Sequence, residues 1–261
     1  MYMNKIQKII LPLLALIALI GCTRNLYGVQ PSAPGSEEQM VKTVFTRGVN
    51  LASCFDVSEG SDANNIWMGY INDDTFQHLT ELGIDVVRVP MTFGRFVEPS
   101  SGTAYKLQDK FLSRLDELLD LGEKWGITVI VDNHQWEYVK QYPDDHAEGF
   151  MKAVWRQVAE HCKNRSGKVV YELQNEPDGD WWKDHWHELQ GELIKEIRKV
   201  DDKHAIIVCA NPYHSLSELP EYEDDNLIYT FHFYSPMVFT HQGGNSSNWT
   251  HLYAIGGQVP F

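Results

Sequence analysis

The chain has 261 residues, of which 43% are hydrophobic and 12% aromatic, so it can bury one sizeable core. This composition excludes a disordered chain. The formal net charge of -14 disfavours nucleic acid and anionic lipid as partners, whereas neutral or cationic ligands remain open.

The first element in chain order is a short apolar run over residues 9–20, preceded by Lys5 and Lys8. At about 12 residues the run is too short to cross a bilayer as an ordinary helix, and it has the form of a secretory signal. It ends in "LIGC", which resembles a bacterial lipobox, where the signal is cut before a cysteine that then carries lipid. We therefore expect a lipoprotein signal peptide over 1–21 and a lipid anchor at Cys22. A plain signal peptide with an incidental cysteine is the alternative.

The segment 22–42 is rich in Pro, Gly and Ser, which is typical of a flexible tether, and 43–261 is the expected folded domain. Since Thr23 rather than aspartate follows Cys22, analogy with lipoprotein sorting favours the bacterial outer membrane, on its periplasmic or outer side. We expect the lipid to be the protein's membrane contact and the protein to be a monomer.

Apolar runs with β-forming residues alternate with amphipathic helical patterns along the rest of the chain. Strands are predicted at 46–53, 85–90, 128–134, 169–176, 205–211 and 227–234, and helices at 73–82, 109–125, 146–164 and 181–200. This alternation predicts a parallel sheet. No GxGxxG follows the first strand, so the dinucleotide-binding fold lacks its fingerprint.

Polar residues stand where the apolar runs end, as a (β/α)8 barrel requires of an active site built at the carboxyl ends of its strands. These residues are Asn50, Arg88, His134, Asn175, Glu176, Asn211, His232 and Tyr234. Because the strand ends of a barrel meet at one rim, we expect the eight side chains to lie close together. A carboxylate among fixed donors and cations is suited to acid–base work.

Other chemistries lack their motifs, since the sequence has no GxSxG elbow, no Walker loop and no HExxH. His185 and His187 lie two apart in a helical pattern and point to different faces, so we interpret them as surface or loop residues. The cysteine spacing matches neither a zinc site nor a redox motif, and Cys209 is predicted to be a small core residue. We expect no metal and no cofactor.

Four motifs in chain order resemble those of glycoside hydrolase family 5, the cellulase-like retaining enzymes of the (β/α)8 clan. They are "VVRVPMTFGRF" with Arg88, "VIVDNHQW" with His134, "YELQNEPDG" with Asn175 and Glu176, and "TFHFYSP" with His232 and Tyr234. The resemblance runs from about residue 45 to 240. It implies an α/β (β/α)8 TIM barrel with six of its eight strands present, acting as an endo-β-glycanase on β-linked polysaccharide of the glucan or mannan type.

The resemblance also implies roles for the matching residues. Glu176 is the general acid/base, which protonates the leaving glycosidic oxygen and then deprotonates the attacking water. Asn175 bonds the sugar 2-hydroxyl, and Arg88 and Tyr234 hold the nucleophile ionised and oriented. His134 and His232 shape the sugar subsite and tune the carboxylates. Substrate-binding candidates complete the set: Asn211, and Trp136 and Trp181 as stacking platforms that could equally be packing residues.

The nucleophile of that family, a glutamate at the end of the seventh strand, has no counterpart here. The 27 residues after Tyr234 contain neither Asp nor Glu, and the last acidic residues are Glu223 and Asp225. Retaining hydrolysis needs a second carboxyl group about 5 to 5.5 Å from the first. Two explanations are open: an incomplete piece of a longer enzyme, which we favour, or a glycan-binding surface lipoprotein without turnover.

Overall fold

In the computed structural model of the chain, the residues described are 45–56, 69, 71–135, 145–178, 180–210 and 219–240. The proposed signal peptide, the tether and Cys22 lie outside them. The strands are β1 (Gly48–Asn50), β2 (Val86–Met91), β3 (Thr128–Asn133), β4 (Val169–Glu172), β5 (Ala205–Cys209) and β6 (Leu227–Thr230). The helices are α1 (Asp73–Glu81), α2 (Asp109–Trp125), α3 (Asp145–Cys162), α4 (Asp180–Arg198) and α5 (Met237–Thr240), with 3-10 turns at Phe93–Phe96 and Pro99–Ala104.

The six strands form one sheet in the order β1-β2-β3-β4-β5-β6, and every pairing is parallel. Together with the helices between them, they make a partial (β/α)8 barrel, as predicted. Five of the six observed strands lie within their predicted ranges, β2 extends one residue beyond its predicted end at 90, and the four predicted helices are present within two residues of their expected ends. None of the described helices has the length and hydropathy needed to cross a bilayer.

Helix α2 shows why the sequence folds locally as it does. Phe111, Leu115, Leu118 and Leu119 recur at helical spacing, and all four side chains are buried against the sheet. The helix ends where Gly126 adopts φ 69°, a left-handed conformation that glycine adopts without steric cost. The amphipathic pattern therefore fixes both the length of the helix and the face that packs on the strands.

Side chains alternate between the two faces of the sheet. One face packs against the helices, where residues such as Val87, Val129 and Tyr171 are buried. The other face, inside the partial barrel, carries a second apolar cluster of Val86, Ile130, Val170, Ala205 and Ile207. Two residues further along β2, β3 and β4, the same inner face carries Arg88, Asp132 and Glu172. The barrel interior thus changes from apolar to charged as it approaches the carboxyl ends of the strands.

Candidate active site

A pocket of about 400 Å³ lies at the carboxyl ends of the strands. Its lining comprises Asn50, Ala52, Asp56, Arg88, Pro90, His134, Asn175, Glu176, His232 and Tyr234. All six residues that the sequence predicted as catalytic are among them. They come from β2 and from the segments after β3, β4 and β6, so the parallel arrangement brings together residues as far apart in sequence as Arg88 and Tyr234.

Glu176 lies four residues beyond β4 in an unusual backbone conformation. Its φ is +30°, a left-handed value that non-glycine residues rarely adopt and that costs free energy. Its Oε1 is 2.6 Å from Nδ1 of His232, which follows β6. The side chain of Glu176 is mostly shielded, with 17% of its surface exposed. The carboxylate is thus held in the pocket by a strained backbone and a hydrogen bond to a histidine from another strand end.

Arg88 connects four strand ends through its guanidinium. Its Nε and Nη2 donate to the two carboxylate oxygens of Glu172 at 2.7 and 2.9 Å. Nη2 also donates to Oδ1 of Asn175 at 2.9 Å, and Nη1 donates to Oδ1 of Asn50 at 3.2 Å. The same Nη2 lies 2.9 Å from Oδ2 of Asp132. All three guanidinium nitrogens of Arg88 therefore make hydrogen bonds at the pocket wall, and Arg88 cannot move without disturbing Asn175.

Asp132 and Glu172 are functional candidates that the sequence prediction missed. Oδ2 of Asp132 is 2.7 Å from Nδ1 of His134, and the Asp132 side chain has no exposed surface. A usable signal was present in the sequence, because each residue is a single acid within a run of β-forming apolar residues, on the same strand face as Arg88. Asp56 was missed as well; it lines the pocket, and its Oδ1 accepts the backbone N–H of Cys54 at 3.1 Å.

The crowding of charges under the pocket shifts the ionisation of several groups. Burial, reinforced by the negative charge of Asp132, raises the pKa of Glu172 to about 7, although Arg88 opposes this shift. Burial disfavours the charged form of Arg88, but its bond to Glu172 and the charge of Asp132 raise its pKa above the ordinary value. Burial raises the pKa of Tyr234, and the neighbouring charge of Glu176 raises it further.

A layer of buried amides supports the loop that carries Glu176. Asn133 donates to Oε1 of Gln174 at 2.9 Å, and Gln174 donates to the backbone carbonyls of Gln135 and Asn175 at 3.1 and 2.9 Å. The Nε1 of Trp155 donates to the carbonyl of Leu173 at 3.1 Å. These bonds satisfy the backbone of the loop where β4 has ended.

Of the three residues predicted to bind substrate, only Trp181 is among the described residues. Trp181, at the start of α4, is half-buried; its ring stacks on His185 at 4.9 Å and it is not among the residues that line the pocket. His185 is exposed on the helix, and its Nδ1 lies 2.7 Å from the carbonyl of Trp181. Trp136 and Asn211 fall outside the described residues. A sugar-binding role for these three candidates stays a prediction.

Two further sequence predictions concern cysteines and metals. Cys209 is buried at the end of β5, as a small core residue should be, and burial raises the pKa of its thiol well above the ordinary value. Within the described ranges no three His, Cys, Asp or Glu side chains are grouped to hold a metal ion. What the pocket does present is two carboxylates, two amides, two imidazoles, a phenol and a guanidinium, a set suited to proton transfer on a neutral polyhydroxyl ligand.

A family model and curated relatives match most of this chain. The family model described as cellulase (glycosyl hydrolase family 5) matches residues 42–255. Endoglucanase H of Acetivibrio thermocellus is 27% identical over 198 residues, covering 75% of this chain and 21% of that protein. Cellodextrinase A of Ruminococcus flavefaciens is 25% identical over 218 residues, covering 78% of this chain and 62% of that protein. The chain thus spans less than two thirds of the length of these relatives.

Solved structures are similar over more than three quarters of this chain. The cellulose synthase subunit Z of Clostridioides difficile superposes with a TM-score of 0.70 at 26% identity, covering 79% of this chain and 67% of that one. The endoglucanase Cel5A of Thermotoga maritima superposes with a TM-score of 0.67 at 31% identity, covering 76% of this chain and 63% of that one.

Proposed function

Because the chain belongs to glycosyl hydrolase family 5, we propose that the protein is an endo-acting hydrolase of β-linked glucan and that Glu176 is its general acid/base. The observation that carries the proposal is the state of Glu176: strained in its backbone, shielded, and bonded to His232 at 2.6 Å in the pocket. Backbone strain at a pocket carboxylate is a mark of function, since it costs stability without serving the core. Endoglucanases among the relatives and structural neighbours support the substrate class.

The reaction follows from the positions of the groups. The carboxyl of Glu176 donates its proton to the glycosidic oxygen of the leaving sugar, and in the second half of the reaction its carboxylate takes a proton from water. Nδ1 of His232 lies 2.6 Å from Oε1 of Glu176. It can donate a hydrogen bond to the carboxylate form of Glu176 and accept one from the carboxylic acid form, so the two side chains stay bonded in both protonation states. Asn175, beside Glu176 on the same loop, offers an amide to a sugar hydroxyl.

A retaining reaction requires a second carboxylate, and Asp132 and Glu172 are unsuited to supply it. Glu172 uses both oxygens on Arg88, and Asp132 is fully buried with Oδ2 on His134 and Arg88. Of the carboxylates in the described ranges, Glu176 and Asp56 line the pocket. We propose that the nucleophile belongs to a strand beyond β6, as the family resemblance implies.

The experiment measures hydrolysis of carboxymethyl cellulose and cello-oligosaccharides by the product of the complete gene and by its Glu176→Gln variant. Loss of proton transfer lowers kcat by about 10²- to 10⁴-fold. Glu117→Gln is the matched control, because Glu117 is an exposed α2 residue that is paired with Arg114 and is not among the residues that line the pocket. Turnover by Glu176→Gln within tenfold of wild type would exclude Glu176 as the acid/base. Cello-oligosaccharide binding without hydrolysis by the wild type would instead support a glycan-binding protein.

We also propose that Cys22 carries a lipid and anchors the protein to the outer membrane. The support is the sequence "LIGC" after a short apolar run, and the Thr that follows the cysteine. Wild-type protein expressed in a bacterium with lipoprotein processing should partition into detergent and co-sediment with outer membrane, whereas Cys22→Ala should appear in the aqueous phase. Equal partitioning of the two proteins would contradict the anchor.

A further inference from the structure

Two acidic side chains lie side by side under the pocket. Asp132 on β3 and Glu172 on β4 are partners in the parallel register, so their side chains share the inner face at the same level. Both are buried, with residue exposures of 0% and 3%. Like charges opposite each other on neighbouring strands repel, and burial increases the cost. A single guanidinium, that of Arg88, contacts both carboxylates.

Glu172 determines which end of the Asn175 amide faces the pocket. Glu172 accepts two hydrogen bonds from Arg88, and Nη2 of Arg88 in turn lies 2.9 Å from the Asn175 side chain. A guanidinium only donates hydrogen bonds, so the atom of Asn175 that meets it must be the oxygen. The NH₂ group of Asn175 is therefore the end left for a ligand in the pocket.

Asp132 determines which ring nitrogen of His134 carries the hydrogen. An ionised carboxylate only accepts hydrogen bonds, so Nδ1 of His134, at 2.7 Å, must carry a hydrogen. In the neutral ring the lone pair then lies on Nε2. His134 lines the pocket with part of its ring exposed, so it meets a neutral ligand as an acceptor.

We propose that Asp132 and Glu172 are positioning residues that fix the hydrogen-bond polarity of the pocket floor: Asn175 as a donor and His134 as an acceptor. The ligand chemistry that fits is a sugar with one hydroxyl that accepts and another that donates. Although the two carboxylates repel each other, both are needed, because Asp132 holds His134 and Glu172 holds Asn175 through Arg88. This proposal rests on the proposed hydrolase function for its kinetic readout but not for its structural ones.

The experiment compares Asp132→Leu, which keeps the approximate size of the side chain and removes its charge and both acceptor oxygens, with Glu172→Gln, which removes the charge and one of the two acceptors of Arg88. Nitrogen NMR of ¹⁵N-histidine-labelled protein at pH 8 should show His134 as the Nδ1–H tautomer in the wild type and lose that single state in Asp132→Leu. Loss of a partner that orients a functional side chain should lower kcat/KM about 10- to 100-fold in each variant. An unchanged tautomer in Asp132→Leu together with unchanged kcat/KM in both variants overturns the proposal.

Thermal stability separates positioning from a merely structural role. Since Arg88 keeps one carboxylate partner in either variant, relief of the repulsion should leave the melting temperature at pH 8 unchanged or raised. The raised pKa of Glu172 supports this sign, because a carboxyl whose folded pKa of about 7 exceeds its unfolded value costs stability as it ionises, and that cost is complete at pH 8. A melting temperature that falls in step with activity in both variants would assign the pair to structure and overturn the proposal.

Asp201→Asn is the matched control. Asp201 is equally buried and also bonds a histidine, with Oδ2 2.5 Å from Nδ1 of His204, but it is not among the pocket residues. This variant should lower the melting temperature and leave kcat/KM unchanged. If the wild type does not hydrolyse glucan, the hydrolase proposal fails, while the His134 tautomer and the melting temperatures still decide whether the two carboxylates position the pocket.

Discussion

Asp201→Asn removes the acceptor at the centre of a buried cluster between α4 and β5. Oδ2 of Asp201 accepts hydrogen bonds from the Tyr171 hydroxyl at 2.7 Å and from Nδ1 of His204 at 2.5 Å. Oδ1 accepts the backbone N–H groups of Lys203 and His204, both at 3.1 Å. Burial alone would raise the pKa of Asp201, but the bonds from His204 and Tyr171 lower it to about 2.

The lowered pKa sets the size and the pH range of the effect. A carboxyl whose pKa falls from 3.8 to about 2 on folding contributes roughly 2 kcal/mol at neutral pH. Because the folded pKa lies below the unfolded one, this stability is complete well above pH 3.8 and is lost as pH falls toward 2. Asp201→Asn should therefore cost roughly 2 kcal/mol at pH 7 and progressively less below pH 4.

Urea unfolding followed by tryptophan fluorescence at pH 7, 5, 4 and 3 measures this dependence. The expected result is a midpoint difference between wild type and Asp201→Asn that is constant between pH 7 and 5 and shrinks at pH 3. A difference that stays the same down to pH 3 would show that the carboxylate charge of Asp201 does not stabilise the fold and would refute the reasoning.

Three further substitutions, one of them a control, test the packing around the sheet by the same unfolding assay. Gly122→Ala should destabilise by about 1–3 kcal/mol, because its Cβ would lie 2.7 Å from Cγ2 of Val129, whereas Gly149→Ala, with nothing nearer than 3.8 Å, should be neutral or stabilising by up to ~1 kcal/mol. Equal effects of the two would contradict a tight contact between α2 and β3. Trp155→Phe should cost about 1–3 kcal/mol, because it removes the donor to the Leu173 carbonyl, and an unchanged midpoint would show that this bond is dispensable.

The helices and strands were largely readable from the sequence because their apolar periodicity is strong. The range 109–125 was predicted as a helix and is Asp109–Trp125 in the structure. The carboxyl ends of β4 and β6 were predicted too long, since β4 stops at Glu172 and β6 at Thr230, whereas the predictions ran to 176 and 234. Beyond those points Asn175, Glu176, His232 and Tyr234 leave the regular ladder and turn toward the pocket.

The site residues were predictable from the sequence only where they belong to a recognisable motif. Arg88, His134, Asn175, Glu176 and the residues after β6 belong to recognisable strand-end motifs, and all of them line the pocket. The buried acids Asp132 and Glu172 were passed over, because a lone acid in an apolar run does not reveal which side chain it meets across the sheet. Trp181 stacks on His185 of its own helix, and its role in sugar binding stays a prediction.

The sequence alone determined the fold class, the order of the elements and the identity of the acid/base candidate, because periodicity and local motifs are properties of neighbouring residues. Only the tertiary structure decided the register that places Asp132 beside Glu172, the left-handed backbone of Glu176 and its bond to His232. The pairing of Asp132 with Glu172 joins residues 40 positions apart, and the bond of Glu176 to His232 joins residues 56 positions apart. They depend on how the parallel strands align when the sheet closes over its core, and no local pattern encodes that alignment.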